Sequence, residues 1–169
     1  MDQKNFFDFN LARLKLFLNE DLEIEEKKVS MRSKQIWQSV YKKGSFKIND
    51  ITTFPLELRR KLDDLISLQI PKIAKTQTSS DGTIKWLIKL FDGNEVECVY
   101  IPEKTRATLC ISSQVGCTLN CRFCHTGTQR LVKNLSFAEI VNQVMIAKEQ
   151  INDWDEQKKI TNIVLMGMG

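Results

Sequence analysis

Three cysteines, Cys117, Cys121 and Cys124, fall within eight residues in the spacing C-x3-C-x2-C. A run this tight can turn its sulfurs inward on one metal centre without help from distant parts of the fold. The number of ligands then matters. Structural zinc takes four protein ligands as a rule, whereas an iron–sulfur cube held by three thiolates keeps one iron open for something else. His125 is the candidate fourth ligand of a zinc site, but it directly follows Cys124, which is poor geometry for gripping the same metal. It reads as a loop residue beside the centre.

A scaffold has to carry this loop. Thr105 to Ser112 reads as a short strand, with Ala107, Leu109 and Ile111 on one face and Thr108, Cys110 and Ser112 on the other. A lone cysteine in a strand is most often a small buried hydrophobe, but the polar neighbours of Cys110 suit the lining of a cofactor cavity. More than twenty residues without helix or strand patterning follow. Loops of that length in compact domains are functional or disordered, and the thiols favour function. A helix is predicted to open at Ser136, where Ser136 and Glu139 form a capping-box pattern, with Phe137, Ile140, Val141, Val144 and Ile151 as its apolar stripe. Ile160 to Met166 is an apolar strand. Strand, helix and strand together predict a right-handed parallel unit. The thiol loop would then leave the carboxyl end of the first strand, and Gly167-Met168-Gly169 the same end of the second. Parallel sheets and barrels place ligands at that edge, and glycine lets a ligand approach the backbone closely.

Upstream, residues 5 to 75 read as helical. Phe7, Leu11, Leu14 and Leu18 make one stripe. A second helix is expected from about Ser30 to Lys43, with Ile36, Trp37, Val40 and Tyr41 inward and Gly44 stopping it. Pro55 suits the first turn of a third, whose Leu58, Leu62 and Leu65 share a face until Pro71. Trp37 and Tyr41 read as core rather than as base-stacking platforms. From about Ile73 to Ile101 the period changes to two, Ile84, Trp86, Ile88 and Leu90 alternating with Lys85, Leu87 and Lys89. Asp81-Gly82 and Asp92-Gly93-Asn94 mark turns, and Pro102 closes a small antiparallel meander. Glu97 lies on the wet face of its last strand, and Cys98, with Val96 and Tyr100, on the core face.

The 169 residues contain no apolar run long enough to span a membrane, and Met1-Asp2-Gln3-Lys4-Asn5 carries no secretory pattern. Five cysteines, three of them clustered, indicate metal ligation in a reducing compartment rather than disulfides, so a cytoplasmic protein is expected. Residues 31 to 75 hold ten Lys/Arg against four Asp/Glu, a basic segment that suits a phosphate backbone or a solvated helix face. Arg122, Arg130 and Lys133 add positive charge around the thiol loop.

The segment Gly116 to Gln129, GCTLNCRFCHTGTQ, resembles the cluster loop of the radical S-adenosylmethionine (SAM) superfamily. The longer run Arg106 to Leu135, with Val-Tyr-Ile-Pro-Glu at 99 to 103 and Met-Gly-Met-Gly at 166 to 169, resembles the RlmN-type RNA adenine-C2 methyltransferases. The resemblance implies a [4Fe–4S] cluster on Cys117, Cys121 and Cys124, with SAM on the fourth iron. It implies SAM contact by the motif that holds Gly167 and Gly169. Cys110 matches the family cysteine that resolves a methylated-RNA adduct with a second, methyl-carrying cysteine beyond Gly169; Glu97 matches a glutamate assigned as proton acceptor. The implied reaction is methylation of C2 of adenosine in 23S rRNA and in tRNA with two SAM molecules, one giving the methyl group and the other the radical. The implied partners are rRNA, tRNA and an external electron donor, with no membrane and a monomeric enzyme.

The expected fold is therefore α/β: an accessory domain at 1–104 of helices plus a small antiparallel sheet, suited to RNA contact, followed at 105–169 by the first β-α-β unit of a partial TIM-type radical SAM barrel. Two parallel strands and one helix cannot close a barrel, so the chain reads as truncated, the amino-terminal part of a longer enzyme. Two rival readings are a non-catalytic RNA-binding module built on the basic helical region and a zinc-stabilised structural module.

Overall fold

The structure is a computed structural model that describes residues 3–118, 124, 126–155 and 159–169. By packing, the chain falls into two units, Met1–Ile70 and Pro71–Gly169.

In the first unit, Asn5 and Asn10 use their side chains to begin helical turns. Asn5 accepts from the Phe7 amide ahead of a 3-10 turn, Phe6–Asp8, and Asn10 accepts from the Arg13 amide at 2.8 Å to cap α1, Leu11–Glu20. Helix α2 spans Glu26–Tyr41 and α3 spans Leu56–Leu65. Helix α2 starts earlier than its apolar stripe suggested, because the Glu25 carbonyl accepts from the Lys28 and Val29 amides and acidic Glu26 suits a first turn. Gly44, at φ +69°, follows its end. Phe6, Phe7, Leu14, Leu18, Ile36, Val40, Phe54 and Leu62 are buried. Trp37 and Tyr41 meet at 4.6 Å with their rings tilted by 50°, and Tyr41 also meets Phe6 at 5.8 Å. Both belong to the aromatic cluster of the core, and burial pushes the Tyr41 phenol up to about 12.

This region is not helical throughout 5–75. Strand β1, Lys4–Asn5, pairs in parallel with β2, Ile66–Ser67, directly after α3, and extended chain returns at Lys72. Propensity-based reading missed a two-residue strand because its only support is a partner sixty residues away.

The second unit is built on a sheet in the order β3, Lys72–Thr78; β4, Ile84–Lys89; β5, Glu95–Pro102; β6, Ala107–Cys110; and β9, Asn162–Val164. The first four strands are antiparallel to their neighbours, and β9 runs parallel to β6. The meander is thus hydrogen-bonded into the sheet that begins the β-α-β unit. The packing boundary falls after Ile70, whereas the sequence placed one near residue 104; Pro102 and the turn beyond it end a strand without ending the sheet. Trp86, Ile88, Val96, Cys98, Leu109 and Ile111 are buried, as the alternation required.

Helix α4, Phe137–Gln150, carries the expected capping box and packs against β5. Its buried face differs from the expected stripe. Ala138, Asn142, Gln143, Met145, Ile146 and Ala147 are buried, while Phe137 is 59% exposed. A helix this apolar offers two possible faces, and the bonds of Gln143 select one. Strand β9 is shorter than the run Ile160–Met166, and Ile163, Leu165 and Met166 are exposed at this edge of the sheet. No helix among the described residues is long and apolar enough to cross a membrane.

Candidate functional site

The thiol loop is tied at its base. Strand β7, Gln114–Val115, pairs with β8, Lys133–Asn134, in an antiparallel clip, so the stretch that lacked patterning has a closed neck. The Cys117 amide donates to the Gln129 carbonyl at 3.2 Å, and Val132 to Val115 at 2.8 Å. Gly116 sits at φ +78°, where a Cβ would lie 2.1 Å from the Arg130 carbonyl oxygen. Only glycine fits this crossing of two backbones. At the exit, the Lys133 ammonium lies between the carboxylates of Asp92 and Glu139, the latter at 2.7 Å. That lysine holds the Asp92 carboxyl down to about 2.

Cys117 and Cys124 are half-buried. Cys121, Arg122 and His125 lie outside the described residues, and among the described residues no three His, Cys, Asp or Glu side chains converge on a metal position. The donor set itself suits an iron–sulfur cube: three thiols on one loop whose neck is fixed by a clip and by a glycine that no other residue could replace.

Glu97 and Cys110 come together on one face of the sheet. Cys110 is directly opposite Val99, so Glu97, two residues along β5, is its diagonal neighbour, at roughly 7–8 Å between Cα atoms. The Glu97 carboxylate takes a 3.0 Å ion pair from Lys85. Burial pushes the Cys110 thiol up, opposed by a hydrogen bond from the Met166 backbone. On the core face, burial raises Cys98 to about 12, with a smaller contribution from Cys110. Cys98 is core, as its alternation required.

The glycines of Gly167-Met168-Gly169 do make a close approach, but the groups they approach are protein. A Cβ on Gly167 would stand 2.6 Å from Ser112 Oγ, and one on Gly169, at φ +116°, 2.5 Å from Ser113 Oγ. The Met168 carbonyl accepts from the Ser113 and Gln114 amides at 2.9 and 3.0 Å, and the Gly167 amide donates to Ile111 at 3.1 Å. The segment after β9 is therefore laced to the segment that leads from β6 into the thiol loop.

At the centre of this lacing is a polar node that sequence reasoning missed. Ser112 is fully buried; its hydroxyl donates to the Glu97 carbonyl at 2.7 Å and accepts from the Met168 amide at 3.0 Å. Gln143, also fully buried, accepts from the Ser112 amide at 2.8 Å and donates to the Ser112 carbonyl at 2.9 Å. The available signal was a glutamine within the apolar run of α4, a residue type that is rarely buried without partners.

Known proteins bear directly on this arrangement. No protein-family model matches the chain. It is 49% identical over 151 residues to the dual-specificity RNA methyltransferase RlmN of Rhodopseudomonas palustris, a match covering 82% of this chain and 38% of that protein. It is 47% identical over 161 residues to the RlmN of Bradyrhizobium sp. strain ORS 278, covering 88% of this chain and 40% of that protein. A radical SAM methyltransferase crystal structure from Sphaerobacter thermophilus matches 98% of this chain and 47% of its own, with TM-score 0.84 and 33% identity. The chain belongs to the RlmN family. It spans about two fifths of the length of the curated RlmN relatives it matches. Its fold is correspondingly part of a radical SAM fold.

Proposed function

We propose that this RlmN-family chain contributes the cluster loop and part of the catalytic surface of a radical SAM methyltransferase that modifies C2 of adenosine in 23S rRNA and tRNA. The observation that carries the reading is the parallel pair β6 and β9. From its carboxyl edge leave both the thiol loop and the Gly-Met-Gly segment, joined through Ser112 and Met168. Ligands of parallel α/β folds gather at that edge.

In this reading Cys117, Cys121 and Cys124 hold the [4Fe–4S] cluster, and the motif of Gly167 and Gly169 lies beside SAM. Held there, the cluster and SAM would supply one-electron radical chemistry to the site. The protein's own residues then act on the RNA. Glu97 accepts a proton, and Cys110 presents a thiol beside it on the same sheet face to resolve the methylated adduct with a second cysteine. Lys85 holds the carboxylate in place. Residues 1–104, as an accessory region, make RNA contacts through the basic stretch 31–75. The enzyme works as a cytoplasmic monomer with an external electron donor.

Anaerobic reconstitution followed by iron and sulfide counting tests the assignment, together with an assay for 5′-deoxyadenosine. About four irons and four sulfides per chain are expected, falling away in Cys117→Ser, Cys121→Ser or Cys124→Ser. A colourless zinc protein that forms no 5′-deoxyadenosine would overturn it.

A further inference from the structure

On the sheet face that carries Glu97 and Cys110, the backbone register sets two straight rows of side chains. One runs Cys110, Val99, Lys85, Gln77 across β6, β5, β4 and β3; the next runs Glu97, Leu87, Lys75. Lys75, Gln77, Lys85, Leu87 and Glu97 line a concavity of about 220 Å³. The opposite face, with Trp86, Ile88 and Val96, is buried, so this polar face is open to a ligand.

The concavity has the chemistry of a phosphodiester site. Lys85 pairs with Glu97, but Lys75 pairs with no carboxylate among the described residues, which leaves the wall net positive. Gln77 offers both a donor and an acceptor, and Leu87 gives an apolar floor against which a ribose can rest. With strands about 4.8 Å apart, Gln77 lies roughly 14 Å along its row from Cys110, so an occupant at the Gln77 end, away from Glu97, is a neighbour of the reacting nucleotide and not that nucleotide itself. We propose that Lys75 and Lys85 bind the phosphate of a nucleotide flanking the target adenosine, with Gln77 on its sugar or phosphate, so that single-stranded RNA crosses the sheet towards Glu97 and Cys110. The inference rests on the RNA-modifying function above.

Fluorescence polarisation of the full 169-residue chain with a labelled, adenosine-containing single-stranded RNA, over a salt series, tests it. The double variant Lys75→Ala/Lys85→Ala should weaken binding roughly tenfold and reduce the salt slope by about 0.7, the loss of one single-strand phosphate contact. Lys75→Gln alone, on an exposed strand, should give about half that slope change and keeps the test valid should the double variant melt early. Arginine at both positions should retain tight binding. Unchanged affinity and slope in Lys75→Gln would overturn the proposal. So would loss of binding only in Lys42→Gln/Lys43→Gln on the helical unit, or no binding by the wild-type chain. Iron and sulfide content, measured separately, reports on the cluster assignment and not on this subsite, so failure of one is distinguishable from failure of the other.

Discussion

Ser112 and Glu97 are bonded to each other, yet the two are held in opposite ways. Ser112 is fully buried, and its amide, carbonyl and hydroxyl are all satisfied by neutral partners. The Glu97 carbonyl shares in that node, but its side chain is 42% exposed and held by one lysine. The difference separates two tasks. Buried neutral hydrogen bonds fix where the backbone of the site lies, because leaving them unmade is costly. The charged groups above stay in solvent, where their pairing is weak enough to be exchanged for a ligand.

The sharpest way to break this comparison is Gln143→Leu. It keeps the helix apolar but strands the Ser112 amide and carbonyl in a buried place, and should cost about 2–4 kcal/mol in urea denaturation. A neutral result would mean that the node does not hold the site. Glu97→Gln should cost less than about 1 kcal/mol, since it removes only a solvent-screened ion pair, while removing the proposed proton acceptor. Were it to destabilise as much as Gln143→Leu, the division between fixed backbone and exchangeable charge would fail.

The smallest effect concerns acid. Asp92 is held at about 2, below its ordinary 3.8, by Lys133. A carboxyl with a lowered folded-state pKa stabilises above its unfolded value, and that contribution disappears as pH falls from about 4 through about 2. Asp92 is 38% exposed, so solvent screening keeps it below about 1 kcal/mol. Asp92→Asn should flatten that part of the stability–pH curve and leave the neck of the thiol loop in place at neutral pH. A curve unchanged from wild type would show that the clamp at the loop exit contributes nothing.

Much of this could be read from the residues because the signals are local. The alternation around Trp86 placed Cys98 inside and Glu97 outside, and Ser136 with Glu139 marked the start of α4. The thiol spacing needed no fold at all. What stayed hidden depends on contacts between distant segments. The Arg130 backbone that Gly116 must clear comes from the far side of the thiol loop, and Gly167 was expected to make room for a ligand where the structure shows it making room for Ser112. The face of α4 could not be chosen from an apolar helix alone, and it took the bond from Gln143 to a strand end thirty-one residues earlier to choose it. The diagonal pairing of Glu97 with Cys110 came from sheet register, which a sequence pattern leaves open.

The most direct measurement is electron paramagnetic resonance of the anaerobically reconstituted, reduced chain with and without SAM. Three protein thiolates leave one iron open, so the reduced-cluster signal should shift when SAM is added, and should vanish in Cys121→Ser. A cluster whose signal ignores SAM, or a metal held by four protein ligands at this loop, would contradict the account.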